Sequence, residues 1–309
     1  MTAYFLKRFL MLIPILFTVM TLVFFLLRLI PGDPVDFILQ ENALPEARAQ
    51  LIKAHHFDEP VWQQYKMYLS EMFQGNFGRS YFSNKPVNKL IAERYFSTMY
   101  LAITAVMWAL IFAIPLGIYS AVKKGSRFDQ GTLVFSLVGI SVPTFYLGPL
   151  LALLFSIHLD LFPLSGRELP GSIFLPSITL GMAMAAILTR ISRASLLEVL
   201  GLDYVRTARA KGLSSFKVVA KHAFRTALIP VIAILGLQFG TLLAGAVVTE
   251  KIFSWPGLGS LLLEAISRRD YALVQGCVLL ISGTYVIVNL FTDVVYVFVD
   301  PRVREGITK

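Results

Sequence analysis

Long apolar stretches separated by short polar connections organise this chain. The stretches 9–30, 98–122, 132–157, 173–189, 228–249 and 274–299 are each apolar enough to cross a bilayer as a helix. A hydrocarbon core of about 30 Å needs roughly 20 helical residues at about 1.5 Å each. Only 173–189 falls short of that length. The pattern predicts an all-α polytopic membrane protein with about six transmembrane helices. The first stretch is too long for a signal-peptide core and no small-residue cleavage site follows it, so it reads as a retained helix. Small or breaking residues punctuate the others: Pro115 and Gly117, then Gly139, Pro143, Gly148 and Pro149, then Gly236, Gly240 and Gly245. Small residues let helices approach closely, and broken helices persist only against protein or a water-filled cavity.

Helical spacing continues outside the apolar stretches. Pro31-Gly32-Asp33-Pro34 ends the first span, because proline cannot extend a helix and Gly-Asp favours a turn. Beyond it, 46–54 and 61–73 read as short helices, the second with Val61, Tyr65, Tyr68, Leu69 and Met72 at helical spacing. Residues 31–97 are therefore expected to form a helical insertion rather than a linker. Arg28, near the outer end of the first span, is placed to snorkel to the interface.

Composition supports the membrane reading. The chain is 56% hydrophobic and 15% charged, against about 25% charged in soluble domains. The net charge of +9 does not imply nucleic acid, because the basic residues sit in short runs between spans. Lys7 and Arg8, Lys123, Lys124 and Arg127, the run from Arg190 to Arg225, and Arg302, Arg304 and Lys309 fall on one side. The opposite short loops hold Arg167, Lys251, Arg268 and Arg269. The positive-inside rule then makes both termini cytoplasmic, in the inner (plasma) membrane, with 31–97, 158–172 and 250–273 outside. The single cysteine, Cys277, lies in an apolar stretch and offers no disulfide within one chain.

Catalytic signatures are missing. There is no Gly-x-Ser-x-Gly, His-Glu-x-x-His or Walker A loop, and His55, His56, His158 and His222 have no metal-ligand spacing. No catalytic residue, metal or cofactor is expected on this chain, and any ATP must be hydrolysed elsewhere. Asp293 lies within the last span, one turn after Asn289, with Tyr296 and Asp300 continuing that face. Pairing with a basic residue near the cytoplasmic end is the favoured role; a proton-coupled secondary transporter using Asp293, or a purely structural subunit, are the alternatives. Ser141, Thr144, Gln238 and Asn289 could line a polar pathway or serve as interhelical hydrogen bonds. Trp255-Pro256-Gly257 forms a rigid turn, and Leu261, Leu262, Leu263 and Ile266 give the next helix an apolar face. That segment is expected at the outer face, as a gate or a binding-protein contact.

The 190–227 segment carries the sharpest local pattern. Asp203 reads as an N-cap, Tyr204 to Lys211 as two helical turns, and Gly212 as a left-handed C′ residue. Ser214 or Ser215 then caps the helix leading to Pro230. A short, doubly capped helix is shaped to dock in a partner's groove, with Leu202, Val205 and Ala208 as its apolar stripe and Arg206 and Arg209 available for carboxylates.

Asp203-Tyr-Val-Arg-Thr-Ala-Arg-Ala-Lys-Gly212 resembles the coupling loop of ABC importer permeases, in the dipeptide, oligopeptide and nickel branch. Against the general pattern Glu-Ala-Ala-x-x-x-Gly, the leading positions fall on Arg206, Thr207 and Ala208 and the glycine on Gly212. Pro31-Gly-Asp-Pro34, Gly75-Asn-Phe-Gly-Arg-Ser80, Phe253-Ser-Trp-Pro-Gly-Leu-Gly259, Arg269-Asp-Tyr271 and Asp300-Pro-Arg302 resemble further motifs of that family. Ala121 to Asp129 and Leu242 to Ala246 look most like dipeptide permeases, while glutathione and nickel permeases share most of these motifs. His55-His-Phe-Asp-Glu-Pro60 departs from the family's usual Leu-Gly-Leu-Asp-x-Pro. The resemblance implies a type I-like permease fold and coupling through Asp203, Tyr204, Arg206, Thr207, Ala208, Arg209, Lys211 and Gly212. It also implies a second permease chain, two ATP-binding cassette subunits carrying ATP and Mg, an extracytoplasmic solute-binding protein, and a short peptide as substrate.

Overall fold

A computed structural model of the chain describes residues 2–30, 35, 39 and 45–299. Their regular elements are helices: α1 (Thr2–Leu29), α2 (Pro45–Ala54), α3 (Val61–Phe73), α4 (Val87–Val122), α5 (Arg127–Ser141), α6 (Thr144–His158), α7 (Phe174–Leu200), α8 (Asp203–Ala210), α9 (Ser215–Ile252), α10 (Leu258–Ser267) and α11 (Tyr271–Val299). Five are long and apolar enough to cross a membrane, and α5 with α6 makes up to 6. The turn at Pro31 to Pro34, the side chains of Lys7, Arg8 and Tyr296, and Asp300, Arg302, Arg304 and Lys309 lie outside the described residues.

The third apolar stretch is not one straight helix. α5 and α6 meet at a 107° bend. Val142 is extended (φ −82°, ψ 117°) and Pro143 follows at φ −64°. A proline disfavours helical backbone in the residue before it and lacks an N–H to continue the ladder. Other boundaries also move. α4 starts at Val87 rather than 98, so the last turns of the expected insertion belong to a span helix. α7 runs to Leu200 and α9 starts at Ser215, which reduces the 190–227 segment to a 201–214 connection holding α8. Hydropathy located the apolar part of each helix, but helices extend past the bilayer wherever their backbone stays satisfied.

The described residues divide into two compact units. One comprises those within 2–9, 99–255 and 285–299. Ala102, Ala105, Ala109 and Ala113 form a small-residue stripe on α4, buried against Leu180, Met184, Ala185 and Leu188 of α7 and Val231, Leu242 and Ala246 of α9. The approach is close: a Cβ on Gly181 would lie 2.6 Å from the Ala105 carbonyl oxygen. In lipid there is little hydrophobic drive between helices, so such small-residue contacts supply the packing energy.

The second unit comprises residues within 10–98 and 256–284. Helices α2 and α3 match the short helices expected from spacing. Tyr65 of α3 is buried, its hydroxyl 2.7 Å from Thr21 Oγ1 of α1. Arg28 does not simply snorkel. Its guanidinium lies 3.4 Å from the Phe24 ring centroid and donates to Gln64 Oε1 at 2.8 Å, so it ties α1 to α3. His56 has φ 54°, in the left-handed region that favours glycine. His55 packs its ring 4.5 Å from that of Tyr81. Ser80 donates to the buried Asp270 carboxylate, which also accepts from Leu273 N at 3.2 Å. Thr98 Oγ1 accepts from Leu258 N at 2.7 Å, satisfying an orphan donor at the start of α10.

Candidate functional site

The 201–214 connection presents α8 between two long helices. Leu202 is extended (ψ 148°) and stands at the N-cap without a side-chain hydrogen bond. Asp203 is therefore the first helical residue and not the cap, a correction to the sequence reading. Its carboxylate still sits where the helix macrodipole favours negative charge, 3.5 Å from Arg206 on an exposed face. Thr207 Oγ1 donates to the Asp203 carbonyl at 2.9 Å. At the other end Lys211 is the C-cap, Gly212 has φ 79°, and its N–H donates to Arg209 O at 2.9 Å. Space around Gly212 is open to a Cβ, so the glycine is there for its backbone angle. Ser214 caps α9 through Lys217 N.

The apolar stripe faces inward. Val205 and Ala208 are buried with Ala121 of α4, Leu196 and Val199 of α7, and Val218, Ala223 and Ala227 of α9. They seat α8 on its own chain, so Ala208 does not lie on a partner-contact face as expected. Amphipathic spacing identifies a stripe but not its occupant. The outward face carries Asp203, Tyr204, Arg206, Thr207, Arg209 and Lys211, all exposed. Leu202 is 43% exposed and Phe216, just after the connection, 81%. Phe216 lies outside the capped 203–212 pattern, and a lone phenylalanine carries no spacing signal that marks it as exposed.

A second feature joins α4, α5 and α7 and carries no spacing signal in the sequence. Asp129, on the first turn of α5, is buried. It accepts from Arg193 Nε at 2.5 Å and Nη2 at 2.8 Å, from Ser120 Oγ, and from Gly125 N at 2.9 Å. Arg193 and Asp129 are 64 positions apart in sequence, which spacing alone cannot connect.

The residues suggested for a pathway lie at the α5–α6 bend and on α9 and α11. Ser141 bonds to Leu137 O at 2.8 Å and, with Thr144, flanks the α5–α6 bend. Gly236 and Gly240 of α9 face Thr292 and Tyr285 of α11. At 100° per residue Asn289 shares that α11 face, whereas Gln238 points away from it. Asp293 is half-buried and engaged in a polar or electrostatic contact. Trp255 and Gly257 are buried, Trp255 at 1% exposure, and Pro256 is half-buried, so the turn offers little surface to a second protein. On α10 the buried positions are Leu258, Gly259, Leu261 and Ala265, while Ile266 is exposed. Among the described residues no group of His, Cys, Asp and Glu could hold a metal ion.

Comparison with known proteins gives a consistent result. Residues 113–305 match the family described as binding-protein-dependent transport system inner membrane component. Residues 1–104 match its N-terminal membrane-component family. The glutathione transport system permease protein GsiC of Escherichia coli (strain K12) is 44% identical over 308 residues, covering 98% of this chain and 99% of that protein. The GsiC of Shigella dysenteriae serotype 1 (strain Sd197) gives the same figures. A chain of the MetNI methionine ABC transporter, solved in inward-facing conformations, matches the fold with a TM-score of 0.58 at 15% identity, covering 68% of this chain and 96% of that one.

Proposed function

We propose, from the premise that this chain belongs to the binding-protein-dependent transport system inner membrane components and is a multi-pass ABC importer permease, that it moves short peptides inward. The chain is a transport subunit and not an enzyme. ATP and Mg belong to two cassette subunits that dock on the coupling helices, α8 being the one this chain supplies. A second permease chain completes the pathway, and a solute-binding protein delivers substrate at the face bearing α2, α3 and α10. Both termini are cytoplasmic on this reading, in agreement with the side on which the basic loops fall.

The observation that carries the docking role is the geometry of α8. Its apolar side is used up inside its own chain, its ends are fixed by the extended Leu202 and the left-handed Gly212, and its outward side is solvent-exposed. A helix so held transmits displacement to the helices under it. Glutathione, the substrate named for the relatives, is itself a peptide of three residues. It joins dipeptides within one substrate class: small molecules with a free amine and carboxylates. Family membership displaces the proton-coupled reading of Asp293.

The experiment is reconstitution of the full complex in proteoliposomes, with uptake of radiolabelled glutathione and of alanyl-alanine measured with and without ATP. ATP-dependent uptake of either is expected, and none by this chain alone under a proton gradient. Gradient-driven uptake by the isolated chain would overturn the assignment.

A further inference from the structure

The seat of α8 is built from three helices, with Val218, Ala223 and Ala227 contributed by α9. Leu196 and Val199 belong to α7, and Ala121 belongs to the last turn of α4. Something must keep those helix ends in register for the seat to exist. Asp129 does so with every carboxylate contact described above. One oxygen takes Ser120 of α4 and Arg193 Nε of α7; the other takes Gly125 N of the α4–α5 turn and Arg193 Nη2. Ser126 caps α5 at the Asp129 N–H, at 3.2 Å. Bidentate geometry makes this pair directional as well as strong.

A second, independent observation lies at the same level. A Cβ on Gly117 would be 2.6 Å from Ser192 Cβ and 2.7 Å from Thr189 O, so α4 and α7 touch backbone to backbone beside Arg193. From Arg193 to Leu200, where α7 ends, is seven residues, or about 10 Å of helix. Along the chain, Arg193 precedes Leu196 of the seat by less than one turn of α7, and Ser120 is next to Ala121 on α4.

We propose that Asp129 and Arg193 are positioning residues for energy coupling. Their pair makes the ends of α4, α5 and α7 one rigid block, so that a displacement of α8 moves the block instead of bending the end of α7. The proposal rests on α8 being the ATPase contact.

The test uses the assembled complex of permease chains, ATPase subunits and binding protein. Arg193→Gln, Asp129→Asn, the double variant and Arg193→Lys are compared for co-purified ATPase and for ATP hydrolysed per glutathione or alanyl-alanine imported. The single variants are expected to retain the ATPase subunits and to raise the ATP cost of import by roughly 2- to 30-fold. The double variant is expected to be no worse than either single, because both remove one clamp. Arg193→Lys, which keeps the charge but loses the fork, falls between. A merely structural pair would lower yield and leave the ratio alone. Assembled single variants with the wild-type ratio overturn the proposal. Where the glutamine variant yields no complex, Arg193→Lys and Ser120→Ala decide in the same way. If the wild-type chain itself binds no ATPase subunit, the docking reading fails and the proposal falls with it.

Discussion

Two neighbouring residues of α8 should respond oppositely to the same substitution. Ala208 is 5% exposed and packed in the seat, whereas Thr207 is exposed. Glutamate at 208 would place a carboxylate among the apolar side chains of Val205, Leu196 and Val199. An uncompensated buried charge costs about 3 kcal/mol or more. Full burial of Val205 contributes about 1.5–3 kcal/mol, so the penalty matches or exceeds what holds α8 down. A difference of about 3 kcal/mol is more than a hundredfold in an equilibrium constant, and α8 should leave its seat. Glutamate at 207 loses only an exposed hydroxyl bond to Asp203 O and adds a like charge one turn from Asp203, together within about 1 kcal/mol. Thermal unfolding in detergent and co-purification of the ATPase subunits separate the two. Ala208→Glu should lower the melting temperature of the permease chain by itself; Thr207→Glu should leave melting unchanged and weaken ATPase retention. Ala208→Glu with wild-type melting but lost ATPase would refute the reasoning, since it would put Ala208 on the docking face.

Three further outcomes are expected. Gly212→Asn should be tolerated and Gly212→Val should not: a left-handed residue with a Cβ costs about 1–2 kcal/mol, least for asparagine, and import per assembled complex reads the difference. Burial holds the His55 imidazole below its ordinary value, against the opposing pull of Asp270. The folded state therefore disfavours its proton, so stability should be full above about pH 6.5 and decline as pH falls through that range. His55→Leu should flatten this decline in a melting-temperature series; a flat wild-type profile would sink it. Cysteine at the exposed Glu264 should react with a membrane-impermeant thiol reagent from outside the cell, while Cys277 is fully buried and stays silent; labelling from the cytoplasmic side alone would reverse the topology.

Much of the architecture was legible because lipid imposes a simple code. A span must be apolar and must satisfy its own backbone, so hydropathy located the membrane-crossing segments and local turn chemistry located α8, Gly212 and the Ser214 cap. The helices α2 and α3 were readable from spacing for the same reason: periodicity is a local property. The family motifs were legible as strings, yet their meaning was not. Gly75 to Ser80 and Arg269 to Tyr271 lie far apart in the chain, and only folding shows Ser80 bonded to Asp270. Only folding shows, too, that His56 occupies a left-handed position, which favours glycine.

Tertiary structure decided whatever depends on which surface meets which. The sequence marked Val205 and Ala208 as apolar but left their partner open, and the fold turned them inward. It marked Asp203 as a cap, and the extended Leu202 moved the helix start by one residue. It offered Pro143 as an interruption, while the size of the bend, 107°, is seen only in the fold. It gave no sign that Asp129 and Arg193 would meet, because a carboxylate in a basic loop looks like a solvated charge until the helices bearing Ser120 and Arg193 and the turn at Gly125 close around it. Local propensity and hydropathy act between residues near in the chain; burial and charge pairing act between residues near in space, and those neighbours exist only once the chain has folded.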